Sequence, residues 1–283
     1  MTRLVYQGGA FTSADTTLVS TALLFFAFSL IFSGVNLLLT RSFFSLQQPW
    51  AVTWLSLGNL VVNLVASIAL WELVVDAFDV RPYLVPGPRR VWSAFWRTKS
   101  LLPDHVRATT TTAVLGLLAG VVVAVVLALA IAAIPFLRAG LYPLLVAAQS
   151  IPTVVLAPVL IVGFGFGQLP RVIVVALVAF FPIVVSSVDG LLGADRDLTD
   201  LVRSMGANRR TLLTRVSIPN ALPSFFAGAK IAAAYAMFGA VVAEWIGATE
   251  GLGIYFERSR RSSRTDQVFV AVVLIALVSL VLF

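Results

Sequence analysis

Seven long, unbroken apolar stretches constrain this chain more than any other feature of its sequence. They run over roughly 18–39, 52–75, 112–134, 141–166, 172–192, 228–247 and 267–283. A helix needs about 20 mostly apolar residues to cross hydrocarbon. The runs are continuous rather than alternating and far too long for barrel strands, so each predicts a helix. Composition points the same way: 59% of the 283 residues are hydrophobic and only 12% are charged. A soluble domain carries roughly 25% charged residues, and a water-facing surface cannot be built from so few. A soluble enzyme and a disordered chain are both excluded. The expected fold is an all-α polytopic membrane protein with about seven transmembrane helices.

The chain has no cysteine, which excludes disulfides, thiolate metal sites and cysteine nucleophiles. Its single histidine, His105, excludes multi-histidine metal cages and is expected to be solvated in a polar loop. The net charge of +7 fits lysines and arginines in loops that face anionic lipid and partner proteins. The first stretch lacks the basic lead and cleavage site of a signal peptide and is too long for an h-region. The last stretch reaches the chain end after 17 residues, as if the natural helix were longer.

Two polar loops separate the spans. Loop 76–111 holds Pro82, Pro86, Gly87, Pro88 and Pro103, with the aromatic segment Val91–Trp96. That segment suits either a short helix in the membrane interface or a plain connector. Loop 193–227 is more informative. Asp197 is expected to cap a short helix that ends at Gly206, a residue suited to the left-handed position after a helix. Asn208 is expected to cap a second short helix, 209–216, which Pro219 ends. Leu201, Val202, Met205, Leu212, Leu213 and Val216 give this hairpin an apolar face, and Arg203, Arg209, Arg210 and Arg215 give it a polar one. Such a hairpin is suited to a groove in another protein, and a solvated interfacial hairpin would show the same pattern.

The loop resembles the cytoplasmic EAA loop of ABC-importer permeases. Asp200-Leu201-Val202 stand where E-A-A is expected, followed at the family's spacing by Gly206 and by Val216-Ser217-Ile218-Pro219. Asp for Glu, Leu-Val for Ala-Ala, Val for Ile and Ile for Leu depart from the pattern. The likeness extends through Tyr83–Pro88, Gln149–Pro152, Gly163–Gly167, Phe181-Pro182, Asn220–Pro223, Ala243–Gly247 and Gly251–Gly253. It covers residues 71–283 and is nearest the nitrate, sulfonate, taurine and thiamine-precursor permeases.

The resemblance implies the type I permease fold in a bacterial inner membrane, with two copies forming the pathway. A separate ATPase would grip Asp200, Leu201, Val202, Arg203, Gly206, Ala207, Arg209, Arg210, Val216, Ile218 and Pro219. An extracytoplasmic binding protein would deliver a small polar solute: a sulfonate, nitrate or, by preference, a pyrimidine precursor of thiamine. This chain itself would hold no cofactor, with ATP and Mg bound by the partner. Consistent with that, it contains no G-x-x-x-x-G-K-[ST] phosphate loop.

Residues 1–70 form a separate expected segment. Gly9–Thr16, Arg41–Gln47 and Asn59–Leu70 resemble a helix pair of MviN-type lipid II flippases. That likeness supplies the alternative function, a lipid-handling protein driven by membrane potential. An intramembrane enzyme lacks support: there is no histidine pair, cysteine, G-x-S-x-G or paired intramembrane carboxylates.

A cytoplasmic loop 193–227 puts the N-terminus and loop 76–111 outside and the C-terminus inside. This leaves twelve of the 20 lysines and arginines outside and eight inside, against the usual bias. We give the loop motif precedence. Within the spans, Gln149, Ser150 and Thr153 surround Pro152, a pattern open to both a pathway lining and a structural kink. Glu244, beside Trp245, is a pathway candidate, although an interfacial carboxylate is the favoured reading. Asp189, Glu72 and Asp76 are expected at water boundaries. Gly116 and Gly120 form a small-xxx-small pair, which indicates close packing and weakly a dimer seam.

Overall fold

The computed structural model describes Leu38, Ser42 and residues 49–149, 155–245 and 247–283. The first predicted span and the motifs at 9–16 lie outside the described residues, as do Ser150 and Thr153. The chain divides into two units, Met1–Trp71 and Glu72–Phe283. Helix α1, Pro49–Ala77, runs through the boundary, and its residues 53–70 are exposed.

In the second unit follow α2 (Pro88–Thr98), α3 (Leu102–Ala133), α4 (Pro135–Ala148), α5 (Leu156–Phe164) and α6 (Gln168–Leu192). Then come α7 (Arg196–Ser204), α8 (Arg209–Leu212), a π-helical turn (Leu213–Ser217), α9 (Ile218–Glu244), α10 (Leu252–Arg261) and α11 (Thr265–Leu282). The described residues contain no strand. Five helical stretches among them are long and apolar enough to span: 53–77, 102–133, 168–192, 209–244 and 265–282. The fold is all-α and polytopic.

Several expected boundaries shift. The third span starts at Leu102 rather than 112, because Pro103 fits the first turn and Asp104 favours the helix dipole there. The aromatic segment is the helix α2, which packs on α11 through buried Ala94 and meets α10 at Thr98, whose hydroxyl accepts from the Tyr255 hydroxyl. The fourth stretch is divided between α4, opened by Pro135, and α5. Pro219 does not end the second helix of the hairpin. The Ile218 N–H bonds back five residues to the Leu213 carbonyl, forming a π turn. A proline ring clashes with the carbonyl four residues earlier and brings no N–H. The wide turn removes that conflict, so a single 36-residue helical stretch runs from Arg209 to Glu244.

Helix α6 sits between α3 and α9. Between helices in lipid there is little hydrophobic gain, so van der Waals packing of small residues dominates. A Cβ on Gly116 would come within 2.4 Å of Val175, and one on Gly120 within 2.8 Å of the Ala176 carbonyl. The glycine pair therefore seats α3 on α6 of the same chain, which removes it as evidence for a dimer seam. Gly228 lets α9 approach the Pro182 carbonyl of α6 in the same way. Ala128, Ile131, Ile183, Val184, Val188 and Ala232 fill the core between the three helices. These contacts run α3 parallel and α9 antiparallel to α6, so the 193–217 hairpin lies at one end of the bundle and the α9–α10 connection at the other.

Candidate functional site

Two constructions occupy opposite ends of α9. The first is the hairpin. Asp195 caps α7, its Oδ1 accepting from the Asp197 N–H at 2.9 Å. This corrects the expected cap at Asp197, which instead lies in the first turn, where its charge favours the dipole. At the far end the Gly206 N–H donates to the Arg203 carbonyl (2.9 Å) and the Ala207 N–H to the Val202 carbonyl (3.3 Å). This paired closure needs a left-handed residue, and Gly206 supplies it at φ +86°. Asn208 caps α8 as expected, accepting from the Thr211 N–H at 2.8 Å.

The apolar face of the hairpin divides in two. Leu212 and Val216 are buried against the bundle, and Val202, Ala207 and Leu213 are half-buried. Leu201 and Met205 stay exposed, Met205 at 78%. Leu198 joins them. Asp200 and Arg203 form an exposed ion pair at 3.4 Å, and Arg209 and Arg210 are exposed beside it. Val216, Ile218 and Pro219 lie in the junction with α9 rather than on the hairpin tip. That junction is tied to α6 by Asn220, whose Nδ2 donates to the Gly190 carbonyl at 3.0 Å.

The second construction was not legible in the sequence. The first N–H groups of any helix lack internal partners. At α10 they are taken by side chains from two other helices. The Gly251 N–H donates to His105 Nδ1 (2.9 Å), the Leu252 N–H to Thr109 Oγ1 (2.7 Å) and the Gly253 N–H to Glu244 Oε2 (2.7 Å). His105 and Thr109 stand four residues apart on α3, hence on one face, and Glu244 closes α9. His105 is therefore a built part of the fold rather than a solvated loop residue. Glu244 is fully buried, which overturns its reading as an interfacial carboxylate, and its Oε1 makes no hydrogen bond. Gly251, at φ +134°, is required here because a Cβ would collide with the Glu244 carboxylate. The available signal was the i, i+4 spacing of His105 and Thr109 with the Gly251-x-Gly253 pair. Nothing local in the sequence joins the two.

Of the other pathway candidates, Gln149 is exposed at the end of α4, apart from the buried setting of Glu244. Asp189 accepts a hydrogen bond from the Tyr142 hydroxyl at the exposed end of α6. Glu72 is bonded by the Arg89 N–H at 3.2 Å. On α10, hydrogen bonds from Arg260 and Arg261 hold the Glu257 carboxyl down at about 2.

Comparison with known proteins adds two family matches. Residues 108–283 match the model of the binding-protein-dependent transport system inner membrane component, and residues 1–77 match that of the lipid II flippase MurJ. The formylaminopyrimidine transport permease protein ThiX of Halalkalibacterium halodurans is 35% identical over 76% of this chain and 86% of its own length. The riboflavin transport system permease protein RibX of Chloroflexus aurantiacus is 35% identical over 81% and 86%. The taurine transport system permease protein TauC of Escherichia coli is 26% identical over 81% and 84%.

Proposed function

Because the chain belongs to the family of binding-protein-dependent transport system inner membrane components, we propose that the 197–219 loop, with its hairpin, is the element through which a separate ATPase drives it. The chain is a multi-pass inner-membrane permease subunit of an ABC importer for a small solute. Hydrolysis of ATP, with its Mg, falls to the partner. Two permease copies form the pathway, and an extracytoplasmic binding protein presents the solute.

The observation that carries the coupling role is the exposed, rigidly capped hairpin with Leu198, Leu201 and Met205 uncovered. An amphipathic helix with such anchors is made to lie in a groove. ATP binding draws the partner ATPases together, and the hairpins move with them. Because α8, the π turn and α9 are continuous, the motion reaches the α10 clamp at the far end of α9, and the bundle opens outward. The formylaminopyrimidine permease among the similar proteins supports a small heterocyclic solute.

Gly206→Pro tests this directly. Proline fixes φ near about −65°, incompatible with +86° at that site. In the assembled transporter the variant should lose solute-stimulated ATP hydrolysis and uptake while the permease still inserts. Wild-type stimulation in that variant would refute the coupling role.

A further inference from the structure

A cavity of about 480 Å³ opens beside the hairpin, where α3, α4 and α6 reach the same end of the bundle. Arg138 of α4 lines it together with Arg203, Arg209 and Arg210. No carboxylate is in its lining. The one ion pair these arginines make among the described residues is that of Arg203 with Asp200. Two polar cavities at the opposite end differ in this respect. One sets Asp266 among its arginines, with Arg97 bonded to it at 2.6 Å, and the other sets Asp104 and Glu250 beside Arg107 and Arg171. Of these three cavities, the inner one is lined by four arginines and no carboxylate. Its other wall is apolar, formed by Pro135, Leu192 and Leu213 at helix ends.

We propose that this cavity binds the phosphate of an anionic phospholipid headgroup. Guanidinium groups recognise phosphate through paired N–H donors, and basic pockets between transmembrane helices on the inner side take acidic headgroups. A free phosphate would be served by the arginines alone. The apolar wall, placed where the spans end, gives the start of an acyl chain a surface to lie on and so selects the lipid source. The site rests on the coupling reading for its inner-face position. Its ligand also sits against Arg203, Arg209 and Arg210, so bound lipid steadies the hairpin that the ATPase must grip.

The test uses the purified full chain, with retained phosphatidylglycerol measured against phosphatidylcholine by native mass spectrometry. Wild type is expected to retain phosphatidylglycerol preferentially, and millimolar inorganic phosphate should not displace it. Arg138→Gln leaves the hairpin untouched and should weaken retention roughly fivefold, and Arg138→Gln with Arg210→Gln roughly 25-fold. Arg258→Gln, on α10, serves as the control and should change nothing. Equal retention of the two lipids, or a preference untouched by the double variant, overturns the site. Displacement of phosphatidylglycerol by inorganic phosphate overturns the lipid assignment. Loss of the lipid preference with normal ATPase coupling, or the reverse in Gly206→Pro, separates failure of this site from failure of the hairpin reading.

Discussion

Glu244 is the residue on which the outer end of the bundle closes. Its carboxyl meets the N-terminus of α10 and accepts from the Gly253 N–H. Glu244→Ala leaves that N–H buried without an acceptor, at a cost of about 1–3 kcal/mol. Hydrogen exchange of the Gly253 amide should quicken by about tenfold or more in Glu244→Ala, whereas Glu244→Gln, which keeps an oxygen acceptor, should stay near wild type. Equal rates in both variants would remove the clamp from the account. Glu257 gives a prediction of a different kind. Arg260 and Arg261 hold its carboxyl at about 2, below the roughly 4.3 of an unfolded glutamate. A depressed folded value contributes stability that is complete above the unfolded value and disappears as the pH falls through the folded one. Between pH 4.5 and 2, wild type should therefore lose melting temperature more steeply than Glu257→Gln, as read by thermal denaturation in detergent. Parallel slopes would show that the three side chains are not coupled.

Among the elements, the packing of α3 on α6 is the most sensitive to single atoms. A branched side chain at position 120 must displace the backbone carbonyl of Ala176, and overpacking of this kind costs about 1–3 kcal/mol. Gly120→Val should lower the melting temperature of the purified permease, while Gly140→Val, where no atom lies within 4 Å of an added Cβ, should not. The elements differ in how far the sequence announces them. Continuous apolar runs locate the helix interiors, since only a helix pairs its own backbone in lipid. Their ends are less legible. The threonines at 109–111 and the segment Ile218-Pro219-Asn220 read as loop, yet both belong to helices because the interface tolerates polar side chains on a continuing turn. Pro219 reads as a stop because the rule against helical proline assumes a regular i→i−4 ladder, and the π turn before it breaks that assumption. The hairpin was legible because caps and Gly206 act locally. The clamp was not, because His105 and Gly251 meet across 146 positions of sequence.

At the scale of the whole molecule, the proposed coupling role makes the hairpin and clamp the two ends of one lever. The helical stretch from Arg209 to Glu244 has 36 residues, or about 54 Å at 1.5 Å per residue, enough to cross the membrane with a turn or more protruding. A push on α8 is therefore delivered to α10 without passing through a flexible joint. This works only if the hairpin faces the cytoplasm, and the raw count of arginines and lysines argues otherwise. That bias follows lysines and arginines and takes little from nearby carboxylates, so the five salt bridges among the described residues do not lift the conflict. The chain's lack of cysteine makes the orientation directly measurable. Ser262→Cys, exposed between α10 and α11, should react with a membrane-impermeant maleimide on intact cells. Ser204→Cys, exposed at the end of α7, should react only after permeabilisation. Labelling of Ser204→Cys from outside would leave the hairpin beyond the reach of any cytoplasmic ATPase, and the lever would have nothing to drive it.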